Sequence, residues 1–202
     1  MSSSSLQRRR QSPRVRPIGW SRVEWDDHEV RLPQQGMEID FGGIGKEYAA
    51  DRVATICIEH GIAHALVNLG GDVRAIGGQP DGSPWRVAIR DPRALNRAVA
   101  LLELRDGAVA TSGDYERCFA VDGRRYCHIL DPRSGMPVTH WQSVSVVAPL
   151  AVVAGSCATI AMLFEDRALA FLDAQPFDYL AIDAAGKLHR NAAEFPIAAH
   201  PG

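Results

Sequence analysis

The segment from Ile39 to Tyr48 reads IDFGGIGKEY, and it joins the end of a predicted strand to the start of a predicted helix. Glycines occupy three of the four positions 42–45, so the backbone there can come close to a ligand. A helix that begins near Lys46 would add its positive dipole end, which predicts an anion site. A Walker A loop would need Ser or Thr at Glu47, and GxGxxG would need glycine at Tyr48, so both motifs fail. A structural glycine turn is an equally good interpretation.

Outward from this segment, the pattern predicts an α+β fold. Apolar residues recur at helical spacing from Lys46 to about His60, with Gly61 at the C-cap position. A second helix is predicted over 151–163, with 167–172 extending or following it. Alternating or buried apolar runs predict strands over 23–25, 29–32, 65–69, 73–76, 85–90, 100–104, 107–111, 117–121, 124–130, 143–147 and 179–182. The runs 65–69 and 73–76 are interpreted as one strand that Gly70-Gly71 interrupts. Many strands with two or three helices predict a mixed or antiparallel sheet packed against helices.

Length and charge limit the classes of function. A chain of 202 residues with 46% hydrophobic residues can bury one sizeable core. A net charge of -2 without a basic cluster argues against nucleic-acid binding. We expect no membrane span, because no apolar run reaches about 18 residues. Residues 1–18 are rich in Ser and Arg and lack the apolar core of a secretory signal, so they predict a disordered tail before a domain over 19–202. The compartment stays unknown.

The cysteine spacing contains no CxxC or Cys/His ligand pattern, so no structural zinc site is expected. If Asp122-Gly123 is a two-residue hairpin turn, Cys118 lies opposite Cys127. A disulfide between them would be strained, and two reduced thiols are the favoured interpretation.

The same hairpin register would place His128 opposite Arg117. A nearby cation favours the neutral, proton-accepting form of histidine, which suits a general base. A structural histidine is the alternative interpretation.

Three further glycine-marked corners read NLGGD at 68–72, TSGDY at 111–115 and HILDPRSG at 128–135. Each alone is typical of a turn with local side-chain hydrogen bonds. Together and in this order, the segments resemble the ApbE family, the FAD:protein FMN transferases. The family motifs DLGGIAKGYA, LVNLGGD, ATSGDYE, RYSHILDPRTGxP and ADALATA correspond to residues 40–49, 66–72, 110–116, 125–137 and 154–159.

The resemblance implies an ApbE-like core similar to a T-fold. It also implies an enzyme that cleaves the pyrophosphate of FAD with Mg²⁺, transfers FMN to a Thr or Ser hydroxyl of a partner flavoprotein, and releases AMP. By resemblance, His128 activates that hydroxyl. Four positions match flavin contacts of the family: Asp40, Lys46, Ser112 and the backbone near Ile129.

Two positions match metal ligands of the family, namely the carbonyl of Gly43 and the hydroxyl of Thr159. The family's metal-binding aspartate, however, stands where this chain has Gly155, four residues before Thr159. Since Mg²⁺ prefers anionic oxygen ligands, we expect weaker metal binding.

Family members generally carry an export signal or lipid anchor, and a longer segment before the glycine loop that forms part of the flavin-binding wall. This chain has 39 residues before Asp40, so we expect the N-terminal part of the family fold to be absent. Alternatives to the transferase are a non-catalytic flavin-binding or interaction remnant, and a FAD pyrophosphatase that uses water as the acceptor.

Overall fold

The computed structural model describes residues 19–122 and 124–191, so the predicted tail over 1–18 lies outside them. The chain divides into two compact units, Met1–Asp40 and Phe41–Gly202. The first unit contains the predicted hairpin, formed by β1 (Glu24–Trp25) and β2 (Val30–Arg31). At its turn the Asp26 carboxylate accepts hydrogen bonds from two backbone N–H groups, those of His28 and Glu29, which hold the Asp26 pKa below its ordinary value.

Within residues 41–122 and 124–191, the second unit contains three α-helices and ten strands. In chain order these are α1 (Gly45–Glu59), β3 (Ala65–Leu69), β4 (Asp72–Ile76), β5 (Trp85–Asp91), β6 (Ala94–Leu104), β7 (Gly107–Gly113), β8 (Cys118–Val121), β9 (Arg124–Cys127), β10 (Trp141–Ala148), α2 (Ala151–Phe164), α3 (Ala168–Asp173), β11 (Asp178–Asp183) and β12 (Leu188–Arg190). Six strands form one sheet in the order β12-β11-β10-β7-β4-β3, and every neighbouring pair is antiparallel. The predicted α+β class is confirmed.

Both faces of this sheet are covered. Helix α2 packs on β7 and β10, while α1 packs on β3 and β4. On the other side, apolar residues of the β5–β6 hairpin form a core with Val73, Val109 and Leu180 of the sheet. The central strand β10 is therefore buried along almost its whole length rather than on alternate residues, as expected for a strand covered on both faces.

Helices α1 and α2 are tied together at the start of α2. The Asp51 carboxylate, on α1, accepts hydrogen bonds from the N–H groups of Ala151 and Val152, each at 2.9 Å. These are first-turn donors that have no partner within the helix, so an α1 side chain supplies the cap of α2. No helix in the described part of the chain has the length and apolarity needed to cross a bilayer.

The hairpin register predicted around Asp122-Gly123 is confirmed, since Cys118 pairs with Cys127. Both thiols are free, as are those of the other two cysteines, which confirms the favoured interpretation. The ladder ends at this pair, one pair before the predicted partnership of Arg117 with His128.

Two strand predictions need correction. Gly70-Gly71 does not interrupt one strand but reverses the chain between the antiparallel strands β3 and β4, with φ values of 63° and 97° that glycine adopts without strain. The strand expected to end at Asp40 is irregular chain over 37–41. Strand β12 was not predicted, because its three residues carry too short a pattern.

Candidate functional site

The glycine-rich loop is a hydrogen-bonded turn that leads into α1. The carbonyl of Phe41 accepts hydrogen bonds from the N–H groups of Ile44 and Gly45, at 3.0 and 2.7 Å. Because these two N–H groups are already bonded within the loop, they are not free to bind an anion. The predicted anion site is left with the other N–H groups of the loop and of the first turn of α1. Gly43 is exposed, and a side chain there would meet nothing within 4 Å.

Lys46, predicted to contact flavin, forms an ion pair with Asp72 at the start of β4. Asp72 is only 2% exposed and also accepts a hydrogen bond from the N–H of Thr111. Partial burial alone would lower the Lys46 pKa, but the hydrogen bond and charge of Asp72 outweigh it, so the pKa lies above its ordinary value. The ammonium group of Lys46 is thus positioned by a buried carboxylate, while the side chain keeps one accessible side.

Glu47, the next residue, is a functional candidate that the sequence reasoning missed. Its side chain is 7% exposed, and its Oε2 atom has no hydrogen-bond partner. Burial raises the pKa of this carboxyl group, and the neighbouring Asp72 carboxylate adds to the effect. The sequence did carry a signal for Glu47, because the family motif DLGGIAKGYA has glycine at this position and a glutamate there is a departure from the motif.

The Glu47 side chain occupies the space beside Gly155 on α2. A Cβ atom at Gly155 would lie 2.6 Å from Cγ and 2.8 Å from Oε1 of Glu47. Helix α1 therefore places a carboxylate where a side chain from α2 would lie. The expectation of weaker metal binding stays a prediction.

Two predicted site residues meet at a hydrogen bond. The Ser112 and Thr159 hydroxyl groups are 2.8 Å apart, joining β7 to α2. Thr159 lies one helical turn beyond Gly155, so it faces the same side of α2. We call Lys46, Glu47, Asp72, Ser112 and Thr159 the polar cluster.

The donors of the polar cluster fit a hard cation. Nowhere in residues 19–122 and 124–191 do three or more His, Cys, Asp or Glu side chains group as metal ligands. The cluster instead offers carboxylate and hydroxyl oxygens, one of them the unpartnered Oε2 atom of Glu47. Oxygen donors of this kind suit Mg²⁺ better than Zn²⁺, which favours sulfur and imidazole ligands.

A cleft adjoins the polar cluster at Gly70, where a Cβ would lie 3.4 Å from Lys46. Arg86 and Arg90 of β5 line this cleft and are exposed. Guanidinium groups bind phosphate oxygens through paired hydrogen bonds, so the cleft can hold an anionic ligand.

The remaining predicted residues are placed less directly. His128 is exposed just after β9. Ile129 is 8% exposed, and its carbonyl accepts a hydrogen bond from Val138 at 3.0 Å. Asp40 is exposed at the end of the first unit. The roles of all three stay predictions.

Comparison with known proteins matches the chain to one family. The sequence pattern of the ApbE family matches residues 3–181. The FAD:protein FMN transferase of Treponema pallidum is 41% identical over 142 residues, which cover 65% of this chain and 39% of that protein. That of Vibrio cholerae is 38% identical over 149 residues, which cover 72% of this chain and 45% of that protein.

Solved structures agree with the sequence comparison. The ApbE protein of Thermotoga maritima superimposes with a TM-score of 0.81 at 35% identity, covering 88% of this chain and 59% of that one. The flavin transferase ApbE of Vibrio cholerae gives a TM-score of 0.74 at 31% identity, covering 87% and 57%. The chain thus spans less than half of the length of the two curated relatives above.

Proposed function

The chain belongs to the ApbE family, and on that premise we propose that it transfers FMN from FAD to a Thr or Ser hydroxyl of a partner flavoprotein, releasing AMP. The observation that carries the proposal is the polar cluster beside the arginine-lined cleft. It brings oxygen donors and a positioned lysine to one place, next to groups that can hold phosphates. Phosphoryl transfer depends chiefly on such positioning and charge stabilisation.

In this mechanism the arginines of the cleft and Lys46 hold the pyrophosphate of FAD. The acceptor hydroxyl oxygen forms a bond to the phosphorus of the FMN half, and the bond from that phosphorus to the bridging oxygen breaks. The bridging oxygen leaves with AMP. His128 takes the proton of the hydroxyl as the new bond forms. Mg²⁺, when bound at the polar cluster, would neutralise charge on the phosphate oxygens.

The direct test is incubation of the chain with FAD, Mg²⁺ and a purified flavoprotein that carries the acceptor threonine. We expect a covalent, fluorescent flavin adduct on a denaturing gel and one AMP per adduct. The acceptor with Thr→Ala should give no adduct. AMP and free FMN without adduct would identify a FAD pyrophosphatase, and FAD binding without AMP would identify a non-catalytic flavin-binding protein; either result refutes the transferase.

The proposed role of His128 has its own test. His128→Ala should abolish adduct formation while FAD binding, followed by flavin fluorescence, is retained. His60→Ala is the matched control, because His60 is exposed at the far end of α1, about 22 Å from its start. Unfolding of His128→Ala, seen by circular dichroism, would support the structural interpretation of this histidine instead.

A further inference from the structure

The polar cluster contains an excess of buried negative charge. The side chains of Glu47 and Asp72 are 7% and 3% exposed, so both carboxylates are largely removed from water. Among the described residues, Lys46 is the cation that pairs with them, in direct contact with Asp72 but 4.0 Å from Glu47. Burying a charge is unfavourable unless a partner compensates it, so the cluster lacks one positive charge.

The uncompensated charge is localised on Glu47. Its Oε1 atom is the one nearest to Lys46, and its Oε2 atom is buried without a partner. A buried polar atom without a partner is rare in native proteins, and an ion or an ordered water is the usual explanation. A proton shared between Glu47 and Asp72 is the competing explanation.

The surroundings of Glu47 favour a cation over a proton. Its carboxyl group lies against α2 at Gly155, and Thr159 with its hydrogen-bonded partner Ser112 follows one turn later on the same face. Hydroxyl oxygens have lone pairs that can complete the coordination of a hard cation, whereas a shared proton needs no such neighbours.

We propose that Glu47 is a carboxylate ligand of a divalent cation at the polar cluster, and that Gly155 is small because this carboxylate fills the space beside it. The inference rests on the proposed function, since the cation would be the one that assists FAD cleavage. The proposal places the negatively charged metal ligand on α1, whereas the family aspartate corresponds to Gly155 on α2.

Binding of Mn²⁺, a paramagnetic substitute for Mg²⁺, tests this inference without FAD or an acceptor. Free Mn²⁺ is measured by electron paramagnetic resonance during titration of the purified chain. We expect Glu47→Gln to weaken binding at least tenfold, since the amide keeps the shape but loses the charge. Glu59→Gln is the matched control on the exposed end of α1, and its binding should equal that of the wild type.

Unaltered Mn²⁺ binding by a folded Glu47→Gln variant would overturn the inference, as would a wild-type chain that binds no Mn²⁺. These results differ from failure of the proposed function. If the wild type binds Mn²⁺ through Glu47 but forms no adduct, the transferase proposal fails and the ligand stands. If Glu47→Gln forms adduct as fast as the wild type at the same Mg²⁺ concentration, the assignment of Glu47 as a ligand fails and the transferase proposal is retained.

A second variant removes the concern that Glu47→Gln merely disturbs the fold. In Glu47→Ala with Gly155→Asp, the carboxylate returns from the other helix to the same space. Recovery of Mn²⁺ binding relative to Glu47→Ala would support a cation at this position. A folded double variant that binds no better than Glu47→Ala would overturn it.

Discussion

The contact between Glu47 and Gly155 can be tested through stability alone. Gly155→Ala at a helix interior should gain about 1 kcal/mol of helix propensity. The new Cβ, however, would lie 2.6 Å from Cγ of Glu47, and overpacking of this kind costs about 1–3 kcal/mol. Glu47 could escape only by turning its buried carboxyl group away. We therefore expect a net loss of up to about 2 kcal/mol in the wild-type background.

The same substitution should have the opposite sign once Glu47 is shortened. In Glu47→Ala the clash is absent, so Gly155→Ala should stabilise the chain by about 1 kcal/mol. The coupling free energy between the two sites is then about 1–3 kcal/mol, or about 2–12 °C in melting temperature for a chain of this size.

Urea unfolding followed by circular dichroism measures this coupling, with EDTA present so that bound cations do not contribute. Glu59→Ala, in place of Glu47→Ala, is the control and should show no coupling with Gly155→Ala. If Gly155→Ala changes the free energy of unfolding equally in both Glu47 backgrounds, within about 0.5 kcal/mol, the spatial reasoning is refuted.

Three further predictions concern the surrounding polar contacts. Lys46→Met leaves the buried Asp72 carboxylate without its cation and should lower the free energy of unfolding by about 2–3 kcal/mol in urea. This loss is smaller than for a fully buried pair, because Lys46 is partly exposed. An equal loss in the Asp72→Asn background would contradict the prediction. Asp51→Ala removes two bonds to the start of α2 and should cost about 1–2 kcal/mol, with Asp51→Asn costing less. The hydrogen bond from His189 holds the Asp183 pKa below its ordinary value, so the stabilisation is present above the unfolded-state pKa and is lost as the pH falls through the folded-state pKa. Asp183→Asn should therefore flatten the acid limb of the plot of unfolding free energy against pH.

The parts of the fold that could be predicted are local. Helix α1 follows from apolar spacing and a C-terminal glycine, and the β8–β9 register follows from its turn. The order of the six-stranded sheet could not be predicted, because it depends on pairings between distant strands such as β10 with β7. Burial of β10 on both faces also removed the alternation that would have marked its inner side.

The candidate site likewise has a part that the sequence predicts and a part that depends on contacts between distant residues. The resemblance named Ser112 and Thr159 separately, but their contact across 47 positions is a property of the packed sheet and helix. Glu47 was missed for a related reason. A glutamate at 47 and a glycine at 155 each look like a departure when read along the chain, and they compensate each other only in space.

The register of α1 against α2 also bears on the predicted ligand Gly43. Asp51 meets the start of α2 at Ala151, and Glu47, one turn earlier on α1, meets Gly155, one turn later on α2. The two helices are therefore antiparallel, and each turn backwards on α1 corresponds to a turn forwards on α2. One more turn along α2 leads from Gly155 to Thr159, whereas Gly43 precedes the first helical residue of α1. The loop that carries Gly43 therefore enters α1 at the end of the helix that lies beside Gly155, and joint binding of a cation by Glu47, Thr159 and the Gly43 carbonyl stays a prediction.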